Sequence, residues 1–342
     1  MPVKPLSYYR EKYIRNQPSA FCVGCGDGTI LNCFVRAVED LGIPKDKILC
    51  VSGIGCAAWI PSPNFNGDTL HTTHGRALAF ATGAKAFNND LTTVVFTGDG
   101  DGAGIGGNHL IHAARRNIAI TTILVNNLSY AMTGGQIAPT TPHHERTATS
   151  PYGNPEKPFD LAKLAEAAGA TYVARWTTNH PVELTRSLRE ALSHPGFAFI
   201  EVLSQCPTQQ RRMFGFRDPV YRLPTRILKM FSESTFVNGR PEPEGYRYAV
   251  PQKNVDEAMA EIETVLQGKD YNAEPVDHMS LGRVVRVEPK TDEVWEIIGN
   301  IKSISKMVGP IEGKVELGVF VKKEHPEFTE ILRRSIEEAG ER

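Results

Sequence analysis

Three sets of residues in this sequence have types and spacings that chemistry could use: a glycine–aspartate run followed by paired asparagines, a group of cysteines, and a histidine–threonine run. The first reads Gly98-Asp99-Gly100-Asp101-Gly102-Ala103-Gly104, with Asn126-Asn127 further along. A carboxylate together with a neutral amide oxygen is a hard donor set of the kind Mg²⁺ prefers, because that ion takes few protein ligands and fills its shell from phosphate. Glycines let the backbone turn sharply and approach a ligand, and a helix N-terminus offers free N–H groups to an anion. Together these features describe a site for a diphosphate bridged by a metal. The cysteines number six. Cys22 and Cys25 form a C-x-x-C on a glycine-rich turn, Cys56 follows Gly53-Ile54-Gly55, and Cys206 lies in Ser204-Gln205-Cys206-Pro207. The first twenty residues lack the apolar core of a signal peptide, so a cytosolic setting is expected, where such cysteines point to metal or redox chemistry rather than a disulfide framework. The third set, His71-Thr72-Thr73-His74-Gly75-Arg76, opens an alanine-rich helix, where polar groups suit phosphate contact. Ordinary capping explains His71 and His74 equally well.

The elements that must position these residues follow from periodicity. The β-branched runs Thr93–Thr97 and Thr121–Val125 flank a segment whose Ile105, Leu110, Ala113 and Ala114 recur at helical spacing, which makes a βαβ unit. Such units build parallel sheets. The alternation extends both ways. Upstream lie a helix over Thr29–Leu41, with Ile30, Cys33, Ala37 and Leu41 on one face, a strand over Lys47–Ser52 and a helix ending near Phe87. Downstream lie a helix over Phe159–Ala168, a strand over Thr171–Arg175, a helix over Pro181–Ser193 and a strand over Ala198–Leu203. The fold class expected is therefore α/β, with a doubly wound, mostly parallel sheet. Open parallel sheets bind ligands at the carboxyl ends of their strands. Asp99, Asn127, Cys56 and Cys206 all fall just beyond strand ends, whereas Cys33 and Cys50 lie inside elements and read as packing. With Cys22 and Cys25 the edge cysteines make four thiolates, which suit tetrahedral zinc or a [4Fe–4S] cluster, and ligand count does not separate the two.

Outside this framework the signals are weaker. Residues 1–20 carry paired tyrosines and scattered charge, and read as an extended N-terminal arm. The Pro/Thr-rich stretch from Ala131 to Pro158 is long enough to be an active-site loop, with Thr133, Thr140 and Thr141 as candidates for substrate contact and plain solvation as the competing reading. Gln209–Arg217 sets Arg211, Arg212 and Arg217 among aromatics beside Cys206, either a rim that steers an acidic electron carrier or a solvated surface. Residues 21–216 form the expected cofactor-binding domain. Residues 217–342, with an amphipathic helix over Asn254–Leu266 and a charged terminal helix, form a C-terminal extension expected to bind a partner.

Composition excludes several classes. A net charge of −1 rules out a broadly basic nucleic-acid binder. No run of about 18 apolar residues occurs, so no membrane partner is expected and the cytoplasm is the default location. Gly102-Ala103-Gly104-Ile105-Gly106-Gly107 matches the dinucleotide fingerprint G-x-G-x-x-G. That fingerprint also needs an acidic residue about 20 positions on, and the second strand here ends in Asn126-Asn127.

The order GDG, helix, strand, NN resembles the signature of thiamine diphosphate enzymes. FCVGCGDG, SGIGC, HTTHGRA, FTGDGDGAGIGGNH, NNLSYAMTGGQIAPTTP and SQCP occur in that order over roughly residues 20–216, with a weaker match at Gly318–Glu330. In this the chain is similar to the β subunit of 2-oxoacid:ferredoxin oxidoreductases, and its wording is most similar to the 2-oxoglutarate type. The resemblance implies thiamine diphosphate and Mg²⁺, the metal held by Asp99, Asn127 and the carbonyl of Ser129. Gly98, Gly100 and Asp101 would contact the cofactor, together with Ile54, Gly55, Cys56 and His74 from neighbouring loops. It also implies one [4Fe–4S] cluster on Cys22, Cys25, Cys56 and Cys206, and a cluster rather than zinc suits a position beside an electron-rich cofactor. The expected partners are an α subunit that supplies the glutamate activating the cofactor, ferredoxin, coenzyme A and a 2-oxoacid, in an αβ or (αβ)₂ assembly. The implied reaction is oxidative decarboxylation of the 2-oxoacid to acyl-CoA and CO₂, or the reverse carboxylation. Thr133-Gly134-Gly135-Gln136 lacks a basic residue that some broad-specificity relatives carry, and Arg222–Asn300 matches no common version of the family. The alternatives are a pyruvate, branched-chain or aryl 2-oxoacid enzyme, a non-redox thiamine diphosphate decarboxylase or ligase with structural zinc, and a non-catalytic scaffold subunit.

Overall fold

The run of β-branched residues before Gly98 pairs side by side with the one before Asn127, and a parallel sheet grows outward from that pair. In the computed structural model the chain divides into two units, Met1–Phe231 with Leu317–Arg342, and Ser232–Glu316. The structure describes residues 4–15, 18–143, 145–210, 247–278, 282–289, 294, 297–298, 300–308 and 317–340. The first unit begins with α1 (Leu6–Tyr13), α2 (Asp27–Leu41), β1 (Ile48–Ser52), β2 (Asp68–His71), α3 (Ala77–Phe87) and β3 (Thr92–Gly98). It continues through α4 (Gly107–Arg116), β4 (Ile120–Asn126), α5 (Leu161–Ala167), β5 (Tyr172–Thr177), α6 (Pro181–Leu192) and β6 (Ala198–Leu203). The second unit holds β7 (Arg247–Pro251), α7 (Val255–Val265), β8 (Tyr271–His278), β9 (Gly282–Pro289) and β10 (Ile304–Val308). The chain then returns to the first unit as β11 (Gly318–Lys322) and α8 (Phe328–Gly340).

The main sheet has seven strands in the order β11-β5-β6-β4-β3-β1-β2. Every pairing in it is parallel except β11 with β5. Thr97 lies opposite Leu124 and Gly98 opposite Val125, so the residues after β3 and β4 emerge at one edge. The central strand β4 is buried along its whole length, as expected of a parallel strand with helices on both faces. Val95 joins Ala77, Leu110, Ala114, Leu161 and Phe199 in a core shared with α3, α4 and α5. Its neighbour Phe96 points the other way, meeting Phe34 of α2 edge-on at 5.1 Å between ring centres. The doubly wound α/β architecture expected from the sequence is the one found.

Four details differ from the sequence reading. Residues 6–13 form a helix rather than an extended arm, because Tyr8, Tyr13, Lys4 and Lys12 all converge on Glu39 of α2. Leu41 is 37% exposed instead of buried, since α2 ends there at Gly42, whose φ is 66°. The short strand β2, largely exposed, carries no alternation that would reveal it; it pairs parallel with β1 and sends the 72–76 loop to the ligand-binding edge. Finally, the 217–342 stretch is divided. Its last part adds β11 to the main sheet, anchored by Asn117 donating to the carbonyl of His325 at 3.0 Å and Glu327 accepting the Ala119 N–H at 2.9 Å. The second unit is an antiparallel sheet, β10-β7-β9-β8. Ala258 and Ile262 of α7 pack on its Ala249, Val285 and Val287, and Asn254 caps the helix by accepting the Glu257 N–H at 2.7 Å. Among the described residues no helix is long and apolar enough to cross a membrane.

Candidate functional site

Asp99 leaves the end of β3 buried to 2% exposure. One carboxylate oxygen accepts the Gly100 N–H at 2.9 Å and the other the Thr140 hydroxyl at 2.5 Å. Burial lifts its pKa to about 7 in spite of these bonds and a contribution from the Leu128 N–H. A nearby cation would restore the charged form. On β4's side of the same edge, the two asparagines have different fates. The Asn126 amide donates to Glu201 at 2.7 Å and its oxygen accepts the Leu128 N–H at 3.1 Å, so Asn126 is consumed inside the protein. The Asn127 side-chain oxygen is buried with no hydrogen-bond partner, as is the Ser129 hydroxyl. Leu128 between them has a φ of 65°, a left-handed conformation rare for a branched side chain; it reverses the chain so that Asn127 and Ser129 flank the turn. Thr141 holds that turn by donating to the Leu128 carbonyl at 2.7 Å. A buried acceptor left unpaired is costly, and one beside a carboxylate suits a hard cation.

The glycines around Asp99 do different things. A Cβ at Gly100 would sit 2.2 Å from the Tyr130 ring, and the Tyr130 hydroxyl donates to the Gly100 carbonyl at 3.2 Å. At Gly98 a Cβ would meet nothing within 4 Å, so that face is open. Asp101 is an internal staple. Its Oδ1 accepts the N–H groups of Ile54 at 3.1 Å and Gly75 at 2.7 Å and pairs with His74 Nδ1 at 2.7 Å, while Oδ2 accepts the Thr97 hydroxyl at 2.6 Å. It thereby draws the loops after β1 and β2 onto the turn after β3, and a Cβ at Gly53 would lie 2.1 Å from its Oδ2. Gly55, at φ 126°, has open space beside it. His71, the exposed last residue of β2, stands apart from this cluster of contacts.

The cysteines fall into two groups. Cys33 and Cys50 are 2% and 0% exposed inside α2 and β1. The other four share one neighbourhood: as thiolates, Cys25 would repel Cys56 and Cys206, and Cys56 would repel Cys206 and Cys22. The Gly26 N–H donates to the Gln205 carbonyl at 3.2 Å, tying the C-x-x-C turn to the Cys206 loop, and a Cβ at Gly26 would fall 2.3 Å from the Ser204 hydroxyl. Burial, followed by the charge of Asp27, pushes Cys56 up to about 12. Burial also raises Cys206, although the N–H groups of Gln209, Thr208 and Gln210 act against it. Such thiols ionise when a metal centre binds them. Among the described residues no three His, Cys, Asp or Glu side chains gather round a point that would hold a single ion.

A model of the thiamine pyrophosphate enzyme C-terminal TPP-binding domain matches residues 53–202, from just after β1 into β6. The 2-oxoglutarate synthase subunit KorB of Methanocaldococcus jannaschii is 51% identical over 226 residues, covering 66% of this chain and 82% of that protein. This chain belongs to the KorB family. The KorB of Methanothermobacter thermautotrophicus is 56% identical over 211 residues, 61% of this chain and 73% of that one. A solved 2-oxoglutarate:ferredoxin oxidoreductase from Magnetococcus marinus, with 2-oxoglutarate, coenzyme A and succinyl-CoA bound, superposes with a TM-score of 0.68 at 27% identity, covering 97% of this chain and 90% of that one.

In this KorB-family chain the remaining predicted residues are placed as follows. Thr140 and Thr141 are buried, with their hydroxyls on Asp99 and on the Leu128 carbonyl. Thr133 is exposed and donates to Gln136 at 2.7 Å, which donates back to the Thr133 carbonyl at 2.7 Å. Arg211, Arg212 and Arg217 lie outside the described residues. Sequence reasoning passed over Tyr130, Asp27, Glu201 and Gln210. Asp27 is 1% exposed, accepts the Ser204 hydroxyl at 3.2 Å and is lifted to about 6 by burial. At the start of a helix it reads as an ordinary acidic cap, and only its burial sets it apart.

Proposed function

We propose that this chain is the β subunit of a 2-oxoglutarate:ferredoxin oxidoreductase, working with an α subunit in the cytoplasm. The observation that carries the reading is the meeting, at one carboxyl edge of a parallel sheet, of an oxygen-donor pair with a group of four thiols. Asp99, Asn127 and the Ser129 carbonyl hold Mg²⁺ and, through it, the diphosphate. The fit rests on the orphaned Asn127 oxygen at the sheet edge from which the Asp99 carboxylate also emerges. Cys22, Cys25, Cys56 and Cys206 hold a [4Fe–4S] cluster. A redox-active cluster rather than redox-inert zinc suits a place beside an electron-rich cofactor. When bound, thiamine diphosphate supplies an electron sink for decarboxylation and the cluster a one-electron carrier.

The residues of this chain bind and orient. Gly100 and Thr140 fix the orientation of both Asp99 oxygens, and the cation would hold the carboxylate in its charged form. Tyr130 closes the turn over Gly100, and Asp101 holds the Ile54 and Gly75 backbones against it. In the overall reaction the bond between the keto carbon and the carboxylate breaks with loss of CO₂. The acyl group forms a thioester with coenzyme A, whose thiol proton is released, and the electron pair leaves singly to ferredoxin. The names of the relatives favour 2-oxoglutarate over pyruvate as substrate.

The test is to assemble the chain with its α partner and measure 2-oxoglutarate- and coenzyme A-dependent reduction of a viologen dye, alongside the visible spectrum. A brown protein that bleaches with dithionite and loses turnover with Asp99→Ala is the expected result. A colourless protein with stoichiometric zinc would remove the redox half of the reading, and unchanged turnover in the variant would remove the metal–diphosphate half.

A further inference from the structure

Gln210 lies just past the last cysteine, and its carboxamide is 0% exposed. Both of its polar side-chain atoms are engaged with loops that carry the proposed ligands. Its Oε1 accepts the Cys206 N–H at 2.9 Å, and its Nε2 donates to the carbonyls of Asn127 and Ser204, each at 3.1 Å. Its own N–H donates to the Cys206 carbonyl at 3.2 Å, and the neighbouring Gln209 N–H reaches the Cys206 sulfur at 3.4 Å. The ladder between β4 and β6 ends with Asn126 opposite Leu203, followed by one bond from the Ser204 N–H to the Asn126 carbonyl at 2.9 Å. Beyond that point the described hydrogen bonds between the two loops run through Gln210.

We propose that Gln210 is a positioning residue that makes the cysteine site and the metal–diphosphate site depend on each other. The proposal rests on the assignment of Cys206 to the cluster and Asn127 to the metal. A carboxamide is planar, so its acceptor and donor directions are fixed relative to one another. Anything that orders the Cys206 turn orders Gln210, and Gln210 then fixes the backbone of Asn127, whose side-chain oxygen is the ligand. The coupling is carried by a contiguous chain of hydrogen bonds, buried at Cys206 and Ser204 and part-buried at Asn127. By linkage it works in both directions: occupancy of the diphosphate site strengthens cluster binding by the same factor.

The experiment measures the affinity of the complex with its α partner for Mg²⁺–thiamine diphosphate by calorimetry, with the cluster intact and after its removal by oxidation and chelation. In the wild type, removal of the cluster should weaken binding about tenfold, within the usual range of coupling between sites. In Gln210→Met, which keeps the length but has no hydrogen bonds, the two affinities should agree within about twofold. Gln210→Glu retains the acceptor for Cys206 but loses the donor to Asn127, and should lose the coupling as Met does. A Gln210→Met complex that keeps the wild-type ratio would overturn the proposal. If neither variant folds, amide hydrogen exchange over residues 126–130 of the wild type decides: slowing when the cluster is present supports the brace, and no change refutes it. A wild type that takes up no cluster, or no thiamine diphosphate, defeats the underlying site reading instead, a distinct outcome.

Discussion

The buried chain behind Asn126 makes a quantitative prediction. Glu201 is 2% exposed and Arg175 7%; Glu201 accepts from the Arg175 Nε at 2.6 Å and from the Asn126 amide at 2.7 Å. Glu201→Leu leaves the Arg175 charge with Asp160 as its remaining acidic partner and strands the Asn126 amide. Breaking a buried pair by removing one partner costs about 3–5 kcal/mol, and an unpaired buried amide adds about 1–3 kcal/mol. Asp160 is partly exposed and keeps some hold on Arg175, so the lower end applies and the net loss is about 4 kcal/mol. Chemical denaturation of the variant should show that loss. In the double variant Glu201→Leu with Arg175→Met both charges are gone, and stability should recover by about 2 kcal/mol or more. The same single change frees the Asn126 oxygen from its fixed place, loosens Leu128 and so weakens Mg²⁺-dependent cofactor binding. A Glu201→Leu protein within about 1 kcal/mol of the wild type, or a double variant no better than the single, would refute the reasoning.

Other outcomes follow from the same geometry. Burial works against the charge on Glu39, but the donors Lys12, Lys4, Tyr13 and Tyr8 outweigh it and hold the carboxylate well below its ordinary 4.5. A lowered carboxylate contributes stability that is complete above the unfolded value and lost as pH falls below it. Acid titration of the wild type should therefore show a loss below about pH 4.5 that Glu39→Gln lacks. Gly100→Ala, with its Cβ 2.2 Å from the Tyr130 ring, should lower stability by about 1–3 kcal/mol in a thermal melt. Gly98→Ala, with open space around the new methyl, should melt like the wild type yet bind thiamine diphosphate more weakly, read by calorimetry. Alanine at Cys22, Cys25, Cys56 or Cys206 should abolish the visible absorbance, whereas Cys50→Ala should keep it and cost about 1–3 kcal/mol of stability.

Much of this protein can be read from order and spacing. β-branched runs alternating with helical periods specify a parallel sheet, and a parallel sheet sends every loop that follows a strand to one edge. That is why Asp99, Asn127, Cys56 and Cys206 could be grouped before any coordinates, and why Cys33 and Cys50 could be set aside. Local patterns were silent where an element owes its existence to a distant partner. The exposed strand β2 has no alternation, α1 is held by a carboxylate more than two turns into another helix, and β11 exists because β5 offers an edge.

The sequence by itself determined which donors are present: oxygens that would suit a hard cation, sulfurs that would suit a softer metal centre, and a sheet edge to share. It could not decide the role of each polar side chain within that chemistry. Asn126 and Asn127 are adjacent and identical in type, yet one is consumed by Glu201, 75 residues away, and the other is left with an orphaned oxygen. Asp101 lies two residues from Asp99 and serves as a staple because the backbones of Ile54 and Gly75 reach it. A hydrogen-bond donor or acceptor becomes available to a ligand only when no protein group has claimed it, and those claims come from partners far along the chain that only the tertiary structure brings within reach.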